Sequence, residues 1–347
     1  SVFAADMDGD GDMDVLSTGA YDVAWFENTN GDGAFVEQPL IMEDQGQIFW
    51  SAFAADIDGD GDMDVLSASS NDDKVAWYEN TRVTFDDEEL IATSATDIMS
   101  IFAADIDGDG DMDAVSASYS DDTIIWYENT GGGLTFGTQH VITTSANGAD
   151  SVFVADIDGD RDMDVILASR FGGSIAWYEN TNGRGAFGPQ QVITTSADGA
   201  LSVFAADMDG DGDMDVLSAS YYDDKIAWYK NAGDGTFGGQ RLITVSADWA
   251  ESVFAADMDG DGDMDVLSAS RGDDKIAWYK NAGDGRFGAQ RVITTLADGA
   301  KDVFAADIDG DGDMDVLSAS EYDDKIAWYE NTDGAGAFGP QQVIATS

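Results

Sequence analysis

The 347-residue chain has no cysteine, one histidine (His140), and only 15 Lys and Arg against 70 Asp and Glu, a formal charge of -55. Without cysteine there is no disulfide framework, no thiolate metal ligand and no thiol nucleophile. A single histidine nearly removes imidazole chemistry. The shortage of cations excludes a general nucleic-acid binder, because a phosphate backbone is held by clustered Lys and Arg and would be repelled here. No apolar run approaches the ~18 residues that span a bilayer, so no membrane insertion is expected, and nothing at the N-terminus reads as a signal peptide. The chain starts at Ser1 and not at Met, which reads as a segment processed or cut from a longer chain. Apolar material is not in short supply: 43% of residues are hydrophobic and 11% aromatic, enough for a packed core despite the acidity.

What the chain has in abundance is repetition. The segment Asp-x-Asp-Gly-Asp-Gly-Asp-Met-Asp starts at Asp6, Asp56, Asp105, Asp207, Asp257 and Asp307, with a variant at Asp156. Successive starts lie 50, 49, 51, 51, 50 and 50 residues apart, so seven repeats of near-constant length fill the chain. Their bounds are approximately 1–50, 51–99, 100–150, 151–201, 202–251, 252–301 and 302–347. Each holds four short stretches of strand character separated by Asp/Gly-rich or Ser/Asp-rich turns, and none carries helical apolar spacing over three turns. In the third stretch of the fifth repeat, Ile226 and Trp228 point to one face and Ala227 and Tyr229 to the other, so both faces are apolar. A strand buried on both sides belongs to a sheet stacked between two others. The reading is an all-β, seven-bladed β-propeller of four-stranded antiparallel blades, with no strand left over to cross-link the first and last blades.

Seven loops of five Asp hold 35 of the 70 acidic residues. Five carboxylates within nine residues repel one another unless a cation lies among them. Oxygen-only ligands select a hard ion, and the alternation of Asp with Gly at the sharp turns follows the calcium-loop logic of an EF-hand. The flanks differ: they read as strands, and an Asp at loop position 9 stands where an EF-hand has its Glu at position 12.

In these residues the chain resembles the FG-GAP/VCBS repeat family, which includes the propeller of integrin α-subunits. The resemblance implies one Ca²⁺ per blade, up to seven, in the loop joining strands one and two. It implies that the first site uses the side chains of Asp6, Asp8, Asp10 and Asp14 with the carbonyl of Asp12. At the same offsets follow Asp56, Asp58, Asp60, Asp62 and Asp64, then Asp105, Asp107, Asp109, Asp111 and Asp113, then Asp156, Asp158, Asp160, Asp162 and Asp164. The last three sets are Asp207, Asp209, Asp211, Asp213 and Asp215; Asp257, Asp259, Asp261, Asp263 and Asp265; and Asp307, Asp309, Asp311, Asp313 and Asp315. Arg161 replaces the second glycine of the fourth loop, so the Asp156 to Asp164 site is expected to be the weakest.

The face opposite these loops carries most of the residues that differ between repeats. Trp50, Tyr119, Tyr222, Trp249, Arg271 and Tyr322 are the candidate ligand contacts there, since aromatic and Arg side chains on a rigid scaffold make recognition surfaces. The repeated Trp25, Trp77, Trp126, Trp177, Trp228, Trp278 and Trp328 are expected to be core between blades. The resemblance implies an extracellular, non-enzymatic binding or adhesion module for a protein or a carbohydrate. The alternatives are a building block of a larger extracellular assembly or filament and, less favoured, a polysaccharide-active enzyme. His140 lies in a fourth strand where other repeats have Gln191, Arg241 or Arg291, a surface position more than a catalytic one.

Overall fold

In the computed structural model, which describes residues 1–44, 46–93, 95–131 and 135–346, each repeat folds onto itself as one antiparallel sheet. In the fifth blade the strands are Ala200–Ala206, Asp215–Ser220, Lys225–Tyr229 and Arg241–Thr244, hydrogen-bonded in that order. Seven such sheets form a seven-bladed β-propeller. In the first blade the fourth strand is split, and Phe35–Glu37 and Met42–Glu43 both pair with Asp22–Asn28.

The third strands are apolar on both faces because each is covered twice. Trp228 packs with Val253, Val266 and Tyr279 of the next blade, and all seven repeated Trp are buried, at 1–3% exposure. Removing one such indole costs about 3–5 kcal/mol. The turn between strands three and four of the following blade must then be flat. Gly285 has φ +68° there, and a Cβ on it would overlap the Trp228 ring.

The ring closes without a shared strand. Val2, Ala4, Val15 and Phe26 of the first blade form one core with Ile308, Leu317 and Trp328 of the seventh. On the innermost strands Phe3, Phe53, Phe102, Phe153, Phe204, Phe254 and Phe304 make a closed circle, with neighbouring centroids 4.6–4.9 Å apart. A second circle runs parallel to it. The hydroxyls of Ser1, Ser51, Ser100, Ser151 and Ser202 each accept the backbone N–H of Ala52, Ile101, Val152, Val203 and Val253 on the next blade, all at 3.3 Å. In the seventh blade Asp302 stands in place of Ser. Its carboxylate accepts Ser252 Oγ–H at 2.8 Å and reaches the Val2 N–H at 3.0 Å, joining last blade to first.

Six of the seven innermost strands, beginning at Phe49, Ile98, Ala149, Ala200, Ala250 and Ala300, carry a β-bulge at their second residue. A bulge unpairs one residue and re-aims its side chain. The residues so placed are Trp50, Met99, Asp150, Leu201, Glu251 and Lys301.

Candidate metal loops and a candidate ligand cavity

Each Asp loop bridges strands one and two at one end of its blade, and the backbone turns it requires are left-handed at both glycine positions, the second of which is Arg161 in the fourth loop. In the first loop Gly9 has φ +74° and Gly11 φ +100°. Asp6 organises the turn: Oδ1 accepts the N–H of Gly9 (2.7 Å) and Asp10 (3.1 Å), and Oδ2 that of Gly11 (3.0 Å). Asp8 accepts from Asp10 N–H and Asp10 from Asp12 N–H. The ninth-position Asp is fully enclosed. Asp14 Oδ2 accepts Met7 N–H at 2.9 Å and Oδ1 accepts Asn28 N–H at 2.8 Å, so it ties the loop to the end of strand three.

Burial pushes this carboxyl up to about 7 in every blade, at Asp14, Asp64, Asp113, Asp164, Asp215, Asp265 and Asp315, against the opposing pull of those backbone N–H groups. The Asp at loop positions 1, 3 and 9 bring ligand atoms within 4.8 Å of one another, as in Asp56, Asp58 and Asp64, or Asp207, Asp209 and Asp215. In the first loop the converging set is Asp6, Asp8 and Asp10. Several buried oxygens here have no hydrogen-bond partner: Oδ1 of Asp56 and Asp307 at position 1, and of Asp209 and Asp259 at position 3. Buried unpaired carboxylate oxygens are costly, and convergent ones suit a hard divalent cation.

The sequence reading missed the residue that couples the loops. Asn28 is buried, and its Nδ2 donates to Ile308 O of the preceding blade at 2.7 Å. Asn80, Asn129, Asn180, Asn231, Asn281 and Asn331 make the same bond to the loop of the blade before, at 2.6–2.9 Å. The signal was present in the sequence as an Asn three residues after every repeated Trp.

The sequence model of the FG-GAP-like repeat matches residues 6–67, 56–116, 113–167, 156–218, 207–268 and 257–318. The chain belongs to the FG-GAP-like repeat family. Among curated protein sequences none matches it. Of solved structures, the FG-GAP propeller is similar to BBS1N in complex with ARL6DN, soaked with lead, with TM-score 0.63 at 11% identity over 92% of this chain and 88% of that one. It is similar also to a functionally unknown protein from Desulfotomaculum acetoxidans DSM 771, with TM-score 0.61 at 8% identity over 95% and 98% of the two chains. At such identities the likeness speaks to the fold.

The loops of this FG-GAP propeller are not equivalent. Arg161, at φ +78°, keeps the turn and donates its N–H to Asp156 Oδ2 at 3.0 Å, while its side chain is exposed. A non-glycine residue held there stores about 1 kcal/mol or more. Arg161→Gly should therefore raise stability by roughly 1 kcal/mol in urea melts, and a loss of stability would refute the strain. In the fifth and sixth loops a lysine enters the acidic cluster: Lys230 bonds Asp209 and Asp211, and Lys280 bonds Asp259 and Asp261. These bonds push the position-5 carboxyls of Asp211 and Asp261 down; in the other five loops burial pushes the position-3 carboxyls of Asp8, Asp58, Asp107, Asp158 and Asp309 up.

At the opposite end of the central channel lies a cavity of about 750 Å³. Its wall includes all six bulge residues, Trp50, Met99, Asp150, Leu201, Glu251 and Lys301. The Asp150 and Glu251 side chains are only 4% exposed. Asp150 pairs with Arg170 at 3.3 Å, and Glu251 pairs with Lys301 at 3.1 Å and Arg271 at 3.4 Å. The Lys301 ammonium sits over the Trp50 ring at 5.2 Å.

Of the ligand candidates, Trp50 lines this cavity. Arg271 is held behind it by Glu251 and Glu321 and lies over Tyr322 at 4.9 Å. Tyr119 packs on Phe171, while Tyr222, Trp249 and Tyr322 are exposed on the same face. Rings at Phe171, Tyr222 and Tyr322 lie on Gly148, Gly199 and Gly299. In the sixth blade the pair is exchanged: Trp249 takes the glycine position at φ +54°, Gly272 takes the aromatic position, and the indole stacks on Tyr221 at 5.4 Å. Met99, Asp150, Leu201 and Glu251 escaped the sequence reading. Their signal was the second position of an otherwise near-constant strand, Ala-x-Ser-Val-Phe-Ala-Ala, which holds a different residue in each of the last six repeats.

His140 stacks on the buried Trp126, centroids 4.5 Å apart, as Arg241 and Arg291 lie over Trp228 and Trp278. Its position is a cap on the indole. The Asp doublets of the strand two to three turns are likewise structural: Asp223 pairs with Lys225 at 2.7 Å, and Asp224 takes the left-handed turn position at φ +57°.

Proposed function

We propose that this FG-GAP propeller is a calcium-stabilised, extracellular, non-enzymatic binding module that takes a protein or carbohydrate ligand at the mouth of its central cavity. In each blade the Asp at loop positions 1, 3, 5 and 9, with the carbonyl of the Asp at position 7, would hold the ion. Bound calcium neutralises the cluster and fastens strand one to strand two. Open loops of this type fill at the calcium levels found outside cells.

The observation that carries the binding reading is the row of six bulges. A scaffold that repeats itself almost residue for residue varies its chemistry at one strand position, and the bulge turns that position into the cavity. The cavity is of ligand size and mixes apolar walls with buried charges. Trp249 adds a second argument, because an exposed indole held at φ +54° where other blades have glycine is maintained at a conformational cost.

A glycan array and a panel of extracellular proteins, each run with calcium and with EDTA, test the reading alongside Trp50→Ala and Trp249→Gly. Trp249→Gly restores the residue of three other blades, so its melting temperature should stay level or rise while ligand affinity drops about tenfold or more. Retention of no ligand, or full retention by both variants, would count against the proposal.

A further inference from the structure

The residue two positions after each repeated Trp, just before the coupling Asn, is Glu27, Glu79, Glu128, Glu179 and Glu330 in five blades but Lys230 and Lys280 in the fifth and sixth. Both lysines reach across to the Asp at positions 3 and 5 of their own loop. Lys230 bonds Asp209 and lies 2.8 Å from Asp211 Oδ2; Lys280 bonds Asp259 and lies 2.8 Å from Asp261 Oδ2. The Asp209 and Asp259 side chains are 9% and 7% exposed, so each ammonium neutralises a largely desolvated carboxylate.

We propose that Lys230 and Lys280 are tethered cations that stand in for metal, so that the seven loops divide into five strong calcium sites and two weak ones. This rests on the calcium reading above and adds a partition to it. A calcium ion entering either lysine loop must displace an ammonium from two of its own ligands. It also enters a cluster that is two charges less negative than in a blade with Glu, where the same position adds a carboxylate. Arg161 places no charge among the ligands, because its side chain faces solvent. The strain at Arg161 is present with and without metal, so it lowers stability and leaves the fourth loop among the five strong sites; the handicap in the fifth and sixth is displacement of a cation. The two lysine blades are adjacent, which leaves one contiguous part of the ring, 207–285, with its acidic loops compensated when calcium is scarce.

Calcium titration calorimetry on the chelator-stripped full chain, with bound metal counted by elemental analysis, tests the partition. The wild type should show five sites and two more at least about tenfold weaker. Lys230→Glu/Lys280→Glu should convert these to a single class of seven, and Lys230→Met/Lys280→Met should strengthen the weak pair without adding a ligand. In EDTA both double variants should melt below the wild type, a readout independent of bound metal. Seven equivalent wild-type sites would overturn the partition alone. Strengthening by Glu but not by Met would assign the effect to a missing ligand and overturn the tethered-cation role. No bound calcium at all would overturn the calcium reading of every loop and this partition with it.

Discussion

Stripping calcium from the protein is expected to lower its melting temperature by on the order of 10–20 °C. An ion that binds the folded loop and not the unfolded chain stabilises by linkage, about 2.7 kcal/mol per site at calcium a hundredfold above the dissociation constant. Several loops together then contribute as much as the whole stability of an ordinary domain, roughly 5–15 kcal/mol. The structural reason is local and repeated. Each loop packs five Asp into nine residues and is bolted through an Asn such as Asn80 or Asn331 to the loop before it, and the second, fifth, sixth and seventh leave a buried oxygen unpaired, as at Asp56 Oδ1 and Asp307 Oδ1. A loop that loosens therefore loosens its neighbour. Calorimetric scans in EDTA and in millimolar calcium measure the shift, with magnesium as the control for a hard ion that keeps its waters. Coincident melting in EDTA and in calcium would show that the loops are only acidic turns.

The dependence on pH should reverse sign between the two metal states. The seven ninth-position carboxyls, Asp14 and its counterparts, stand at about 7 in the folded protein against 3.8 for the ordinary group. Between those values the folded state holds protons that the unfolded chain releases. Stability without metal is then fully present below about pH 4 and declines as pH rises through 7. The slope grows with the number of these groups that stay protonated, and the fall in net negative charge on acidification acts in the same direction. With calcium in excess the ion favours the carboxylates, protons compete with it, and stability falls on acidification instead. Urea melts at pH 5.5 and pH 8 should show the metal-free protein more stable at the lower pH by several kcal/mol, and the calcium-loaded protein more stable at the higher. A metal-free protein that gains stability toward pH 8 would contradict the role given to burial of these groups.

Much of this architecture was legible without coordinates because it is written in short-range pattern. The period near fifty, the two-sided apolar third strand and the Asp/Gly alternation each concern residues within a few positions of one another, and local propensity and repulsion act at that range. The seven repeated Trp could be separated from Trp50 and Trp249 on register alone, and they are buried as that register requires.

What remained hidden depends on residues far apart in the chain. Asn28 looks like a turn residue until its amide is seen on Ile308 O, and Asp302 looks like a stray charge until it reaches Val2. Lys230 looks like one more exposed cation until it is found between Asp209 and Asp211. The sequence by itself determined the blade count, the strand order within each blade and the position of every acidic loop, because each blade pairs contiguous strands across short turns. Only the tertiary structure decided how the ring closes, which loops already hold a cation, and that one bulged position in each of six blades gathers Trp50, Met99, Asp150, Leu201, Glu251 and Lys301 around one cavity. A bulge shifts the strand by one residue, and the direction of a side chain then follows from packing between blades and not from its place in the repeat.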